Sequence, residues 1–360
     1  MKDKSAKWVI GFLISFVTTL VILGGITAII DPFFHYHRPL SFVRYELRDE
    51  RYQNNGIVKH FDYDAIITGS SMAECFRPSE LNALFGVNAV KVPYSGGSYK
   101  EVNDNLYIAT QYNSDIKMIV RCLDANRFFD DKDQMDYTYY PDYLYDSSIW
   151  NDAGYLLNKS VLVTAIQNLH GYMVTKSTDL SFDDYINWSD YMTYGKAAVD
   201  MKYDRTAIEV AEEMLSITEE EYERMEQNIE QNITRLAEEN PDVEFYIYFS
   251  PYSIYYFDYW HRTGVLEKQL KAERFFIEKL LACDNIHVFS FFTEYDTICN
   301  LDNYKDIAHH SGALNSQILE WMKESRGELT YDNYEEYCEE EWDFYMNYDY
   351  DALFEKTFLN

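Results

Sequence analysis

The sequence predicts an α/β domain, a parallel sheet with helices on both faces, preceded by one N-terminal transmembrane helix and carrying an inserted cap. Three observations point there. Short β-branched and aromatic runs alternate with helical stretches from about residue 58 onward. A run of 23 residues without a charge, Trp8 to Ile30, stands near the N-terminus. About 90 residues between the third and fourth strands, Arg127 to Ile217, then break the alternation with a stretch rich in Tyr, Asp and Trp.

The 23-residue apolar run exceeds the roughly 20 residues that a helix needs to cross a bilayer core. Lys2, Lys4 and Lys7 precede it, so the residues before Trp8 (1–7) are expected to stay cytoplasmic and everything after Asp31 to be exported. A cleaved signal peptide is the rival, with Gly24-Gly25-Ile26-Thr27-Ala28 as its cleavage region; its apolar stretch would be only about 7–15 residues. Residues 31–57 read as a juxtamembrane connector.

Five strands follow: Ala65–Thr68, Ala89–Val92, Ile116–Leu123, Val243–Phe249 and Ile286–Phe292. Between and after them, Thr218-Glu219-Glu220-Glu221 forms a capping box for a helix running to Asn240-Pro241, and Leu266–Ala282 and Gly312–Lys323 are further helices. The expected α/β domain spans residues 58–126 and 240–325, the cap 127–217, and an acidic aromatic tail 326–360 that wraps the domain or is partly loose.

With 47% hydrophobic residues in 360, the chain can bury a core, and general disorder is excluded. The formal charge of −30 repels phosphate backbones, so no nucleic-acid partner is expected. Cys75, Cys122, Cys283, Cys299 and Cys338 are widely spaced and read as buried free thiols, with Cys283–Cys299 the nearest pair. No cofactor and no metal are expected; His35-Tyr36-His37 has no carboxylate cluster near it. The 34 tyrosines read mainly as packing and surface hydrogen bonding, with stacking on sugar rings as the alternative.

In a parallel sheet, ligands gather beyond the carboxyl ends of the strands. Three strands end in small polar residues: Gly69-Ser70-Ser71, Ser95-Gly96-Gly97 and Asp124-Ala125-Asn126. The first presents a serine at a strand-to-helix turn, where backbone N–H groups can hold an oxyanion. A serine needs a base, and Asp306 stands three residues before His309 just ahead of a helix, a spacing at which the carboxylate can orient the imidazole. As bland readings, Ser71 is a helix N-cap, His309 and His310 are helix-start surface residues, and Asp124 caps a turn or pairs with Arg121 or Arg127.

Gly-Ser-Ser after the first strand, a glycine after the second and Asp-x-x-His near the C-terminus together resemble the SGNH/GDSL hydrolase superfamily, over roughly residues 58–128 and 240–325. The resemblance implies a flavodoxin-like three-layer fold. It implies Ser71 as nucleophile, His309 as base and Asp306 as its partner, with Gly96 or Gly97 and Asp124 or Asn126 serving the oxyanion. Ser70 departs from the family's usual Asp, and Cys122-Leu123-Asp124-Ala125-Asn126 from its Gly-x-Asn-Asp block. The anchored topology is similar to the envelope acyltransferase branch, which includes the D-alanyl transfer proteins of lipoteichoic acid synthesis and the alginate O-acetylation proteins. That similarity implies a serine esterase or acyltransferase and an envelope polysaccharide or teichoic-acid-like acceptor. It also implies a partner of the multi-pass membrane-bound O-acyltransferase type. The alternatives are a catalytically idle scaffold of the same fold and an exported carbohydrate-binding protein.

Overall fold

The computed structural model describes residues 2–178 and 180–354. The chain divides into two compact units, Met1–Asp62 with Thr138–Ser181, and Tyr63–Tyr137 with Phe182–Asn360. The stretch 127–217, expected as one cap, is thus split, because its apolar middle packs with the N-terminal helix.

Among the described residues of the first unit, one helix, Lys2–Ile30, has a stretch long and apolar enough to cross a membrane, Ser5–Ile30. Its last turns are part of a packed body: Thr27, Ile30 and Asp31 are buried. The Asp31 carboxylate accepts from the N–H groups of His35, Tyr36 and His37 at 2.7–3.0 Å and from the Tyr155 hydroxyl at 2.7 Å. Asp152 in turn accepts from the Tyr36 hydroxyl at 2.9 Å. The connector 31–57 is therefore ordered by polar ties and ends in the helix Glu50–His60. Leu144, Tyr155 and Val161 form the small apolar core that these ties enclose.

The second unit holds a six-stranded sheet: β1 Ala65–Thr68, β2 Ala89–Lys91, β3 Met118–Leu123, β4 Glu244–Phe249, β5 Ile286–Ser290 and β6 Glu328–Leu329. The order is β2-β1-β3-β4-β5-β6, with the first five parallel and β6 antiparallel to β5. Strands β1, β2 and β3 are buried along their whole length and are mostly apolar; the charged exceptions, Lys91 of β2 and Arg121 of β3, are buried with backbone carbonyls as partners. The chain leaves β1 toward β2 on one side and β3 on the other, and this reversal opens a crevice at the carboxyl ends of β1 and β3.

Side chains satisfy the loop carbonyls that follow the strands. Tyrosine hydroxyls donate to the carbonyls just past three strands: Tyr99 to Asp124 at 2.8 Å, Tyr304 to Pro251 at 2.9 Å and Tyr345 to Phe292 at 2.6 Å. Thr68 does the same for Val92 at 2.7 Å. The abundance of tyrosine thus has a local use: a large apolar body fills the core while its hydroxyl satisfies a loop carbonyl.

The helix that starts at the Thr218 capping box does not run as a plain α-helix. Glu219–Ile229 is α, Glu230–Thr234 widens into a π turn, and Arg235–Glu239 is α again. Buried Arg121 of β3 donates to the Asn232 carbonyl in this turn at 2.7 Å and to the Tyr99 carbonyl at 3.1 Å. Burial pulls its guanidinium down to about 10, still charged at neutral pH. The tail is integrated: β6 extends the sheet and the helix Tyr334–Asn347 packs on the helix Leu266–Leu280. Residues 355–360 of the expected tail, and Met1 of the expected stub, lie outside the described residues. All five cysteines are free, and Cys75, Cys122 and Cys283 are buried.

Candidate active site

Strand β1 stops at Gly69, whose φ of +147° is open to glycine and closed to most side chains. A methyl group there would stand 2.7 Å from Cys122 Cβ, so the glycine also lets β1 and β3 approach. Ser70 then accepts from the Met72 N–H at 3.3 Å and opens the single 3₁₀ turn Ser71–Ala73, which lifts Ser71 out of the strand. Ser71 is half-buried.

The Ser71 Oγ is 2.8 Å from His309 Nε2. On the other side of the ring, His309 Nδ1 lies 3.0 Å from both carboxylate oxygens of Asp306. Asp306 Oδ1 also accepts from the N–H groups of His309 at 2.8 Å and Ala308 at 3.0 Å, an Asx turn that fixes the carboxylate under the ring. Burial opposes ionisation of this carboxyl, but the imidazole and the two backbone N–H groups outweigh it and hold it down at about 2. An ionised Asp306 keeps the proton on Nδ1, so Nε2 presents its lone pair to the Ser71 hydroxyl.

The residues that set this distance come from other loops. The Ile307 carbonyl accepts from Ser253 N–H at 3.1 Å and Ser253 Oγ at 2.7 Å, tying the histidine loop to the end of β4. Asn315, on the helix after His309, donates to the Met72 carbonyl at 3.1 Å and so ties that helix to the serine turn. Trp188 meets the His309 ring edge-on, with centroids 5.8 Å apart. Its indole N–H donates to Glu74, and the Lys305 ammonium lies over its ring. Next to it, Ser189 Oγ accepts from Gly312 N–H at 2.7 Å. Sequence reasoning did not single out Ser253, Asn315 or Trp188. For Ser253 a signal existed, because Ser250-Pro251-Tyr252-Ser253 is another strand end rich in small polar residues.

His310 is buried, with Nε2 facing Ser250 Oγ at 3.4 Å; burial pulls it down to about 4, so it stays neutral and belongs to the floor of the site. Asp124 is also buried and accepts from the Tyr252 hydroxyl at 3.1 Å, with the Ser70 hydroxyl as a second partner. Burial pushes its carboxyl up despite both hydroxyls. It pairs with neither Arg121 nor Arg127: Arg121 serves carbonyls, and Arg127 serves Asp130, Asp136 and the Gly96 carbonyl. Ser70 and Asp124 thus stand together directly behind Ser71. Asn126, by contrast, is exposed and bonds the Tyr256 hydroxyl.

The two glycines after β2 differ. The Gly97 N–H donates to Tyr94 O at 2.7 Å, and a methyl at Gly97 would meet Tyr94 Cβ at 2.6 Å, so this glycine closes a tight turn. Gly96, at φ +62°, is exposed, and among the described residues its N–H has no protein acceptor. The turn itself is hung on the serine loop, since Tyr94 N–H donates to Gly69 O at 2.8 Å. Chemically, the arrangement offers a hydroxyl, a base oriented by an ionised carboxylate, and free N–H groups at neighbouring strand ends.

No protein-family model matches the chain, and no curated protein matches it. Among solved structures it is similar to a candidate platelet activating factor from Streptococcus pneumonia, at 12% identity and a TM-score of 0.38, over 77% of this chain and 90% of that one. It is also similar to a carbohydrate esterase whose active site displays divergent catalytic and non-catalytic binding functions, at 10% identity and a TM-score of 0.29, over 72% of this chain and 63% of that one.

Proposed function

We propose that this protein is a membrane-anchored, extracytoplasmic serine esterase or acyltransferase that moves an acyl group such as acetyl to or from a cell-envelope glycan. The observation that carries the reading is the continuous line from Ser71 Oγ through His309 to Asp306, with contacts of 2.8 and 3.0 Å, at the carboxyl edge of a parallel sheet. In the first step the Ser71 proton passes to His309 Nε2 as Oγ bonds to the carbonyl carbon of an ester. The oxyanion is held by backbone N–H groups, those of Ser71 and Gly96 being the candidates, and Asn126 stands as a side-chain candidate. His309 then returns the proton to the leaving alkoxide, the acyl–oxygen bond breaks, and acyl-Ser71 remains. A second hydroxyl, of water or of a sugar, gives its proton to His309 as it attacks the acyl carbon; the acyl–Oγ bond then breaks as His309 returns the proton to Ser71 Oγ.

The partial exposure of Ser71 and of the His309 ring favours this reading over an idle scaffold, since a sealed serine could not meet a substrate. Anchoring is supported by the packing of Ala153–Leu156 and Lys159–Thr175 on the N-terminal helix and by the burial of Thr27: cleavage after Ala28 would remove the helix against which the first unit packs. Lys2, Lys4 and Lys7 favour a cytoplasmic N-terminus. An envelope polysaccharide or teichoic-acid-like acceptor and a multi-pass O-acyltransferase partner complete the proposal. The test is steady-state hydrolysis of an activated acetyl ester by the full chain in detergent. Ser71→Ala and His309→Ala are each expected to abolish turnover, a loss of about 10³-fold or more; turnover unchanged in either variant would overturn the reading.

A further inference from the structure

Within the first unit, the chain from Ala153 to Thr175 carries no carboxylate and one lysine, Lys159, although the protein holds 61 Asp and Glu. This segment forms a short helical turn, Ala153–Leu156, and the helix Lys159–Thr175, joined at Asn158, whose side chain accepts from the Ser160 N–H. Both pieces lie against the N-terminal helix. Leu20, Gly24 and Ala28 on that helix, and Trp150, Ala153 and Leu157 opposite, line an apolar groove of about 470 Å³. A methyl added to Gly24 would touch Leu157 Cδ2 at 3.5 Å, so the small residues at 24 and 28 let the two backbones close up.

The depth of this contact follows from helix geometry and rests on the reading of Trp8–Ile30 as a membrane span. At about 1.5 Å per residue, Gly24 lies roughly 9 Å and Leu20 roughly 15 Å along the axis from Ile30. A hydrocarbon core is about 30 Å thick. Whatever packs beside Leu20–Ala28 is therefore in the outer half of the bilayer. The surface of the segment suits that place. Trp150 is 89% exposed and Val174 68%, and Val163, Ile166 and Met173 are also exposed along the helix. Inside its two helices the backbone is paired, at the joint the Ser160 and Val161 N–H groups donate to the Asn158 side chain, and Asp152 ahead of them is buried with the Tyr36 hydroxyl as partner. Lys159 is long enough to carry its ammonium toward the interface.

We propose that Ile149–Thr175 is a second membrane-contacting element, a re-entrant turn that dips into the outer leaflet beside the anchor and faces lipid acyl chains with Trp150, Leu157, Val163 and Ile166. The first unit is then fixed to the bilayer along a surface and not by one stalk. The test uses the full chain in phosphatidylcholine vesicles whose acyl chains carry bromine, with bimane attached at Leu157→Cys or Ile166→Cys. Val21→Cys reports on the span, Tyr191→Cys on the aqueous domain, and the wild type on background labelling. Bimane at 157 and 166 is expected to lose most of its emission, as at 21, while 191 keeps it. Quenching at 21 with none at 157 and 166 would overturn the proposal and leave the anchor standing, making this face a seat for another protein or simply wet. No quenching at 21 would overturn the span itself, and the proposal with it.

Discussion

At the residue scale, Asp306 tests the electrostatics of the site. Its carboxyl is held at about 2 by the imidazole and two N–H groups, against an ordinary value of 3.8. A depressed carboxyl stabilises the fold above its unfolded pKa, and that contribution is lost as pH falls through the folded value. The contribution is on the order of 2 kcal/mol at neutral pH. Asp306→Asn is therefore expected to be less stable than wild type at pH 7, with the gap closing between about pH 4 and pH 2 in denaturant titrations. The same variant should lose about 10³-fold or more in kcat, because an asparagine no longer sets the imidazole tautomer. Trp188 acts through His309 by packing: Trp188→Ala is expected to lower kcat by about 10- to 100-fold with little change in KM, and Trp188→Phe to recover most of it. Asp306 and His309 were legible in the sequence because three residues in a turn bring them together. Trp188 was not, since nothing local says that a residue of an insertion returns to the imidazole.

At the element scale, the turn after β1 decides where the nucleophile stands. Gly69→Ala would place a methyl 2.7 Å from Cys122 Cβ at a φ of +147°. The expected cost is roughly 2–4 kcal/mol, read as a lower urea midpoint at unchanged slope. Strand β1 and its Gly-Ser-Ser end were readable because a strand buried on both faces is a continuous apolar run broken by glycine. Strand β6 was not, because a two-residue strand has no periodicity to show. The π turn at 230–234 was hidden for a different reason: no local spacing marks it, and its Asn232 carbonyl is taken up by a residue distant in sequence, Arg121. The helix Lys159–Thr175 lies within the expected cap, and spacing alone does not say whether its apolar face meets protein or lipid.

At the scale of the whole molecule, the tail is held to the sheet domain through two buried carboxyls. Glu273 and Glu341 face one another, with Ser290 donating to Glu273 at 2.7 Å and Tyr337 donating to Ser290 at 2.6 Å. Burial pushes Glu273 up to about 7 and, with the neighbouring carboxylate, lifts Glu341 well above its ordinary value. A raised carboxyl binds its proton more tightly folded than unfolded, so stability falls as pH rises from about 4.5 to about 7. The double variant Glu273→Gln/Glu341→Gln is expected to flatten that slope, measured as Tm against pH; an unchanged slope would show that these carboxyls are not the titrating pair.

The central claim is that Ser71 is a nucleophile activated by His309. The most direct measurement is exposure of the full chain to a fluorophosphonate, followed by intact-mass analysis and peptide mapping. One phosphonyl adduct is expected, on the peptide carrying Ser71, absent in Ser71→Ala and strongly slowed in His309→Ala. No adduct on the wild type, or labelling of His309→Ala at the wild-type rate, would contradict it.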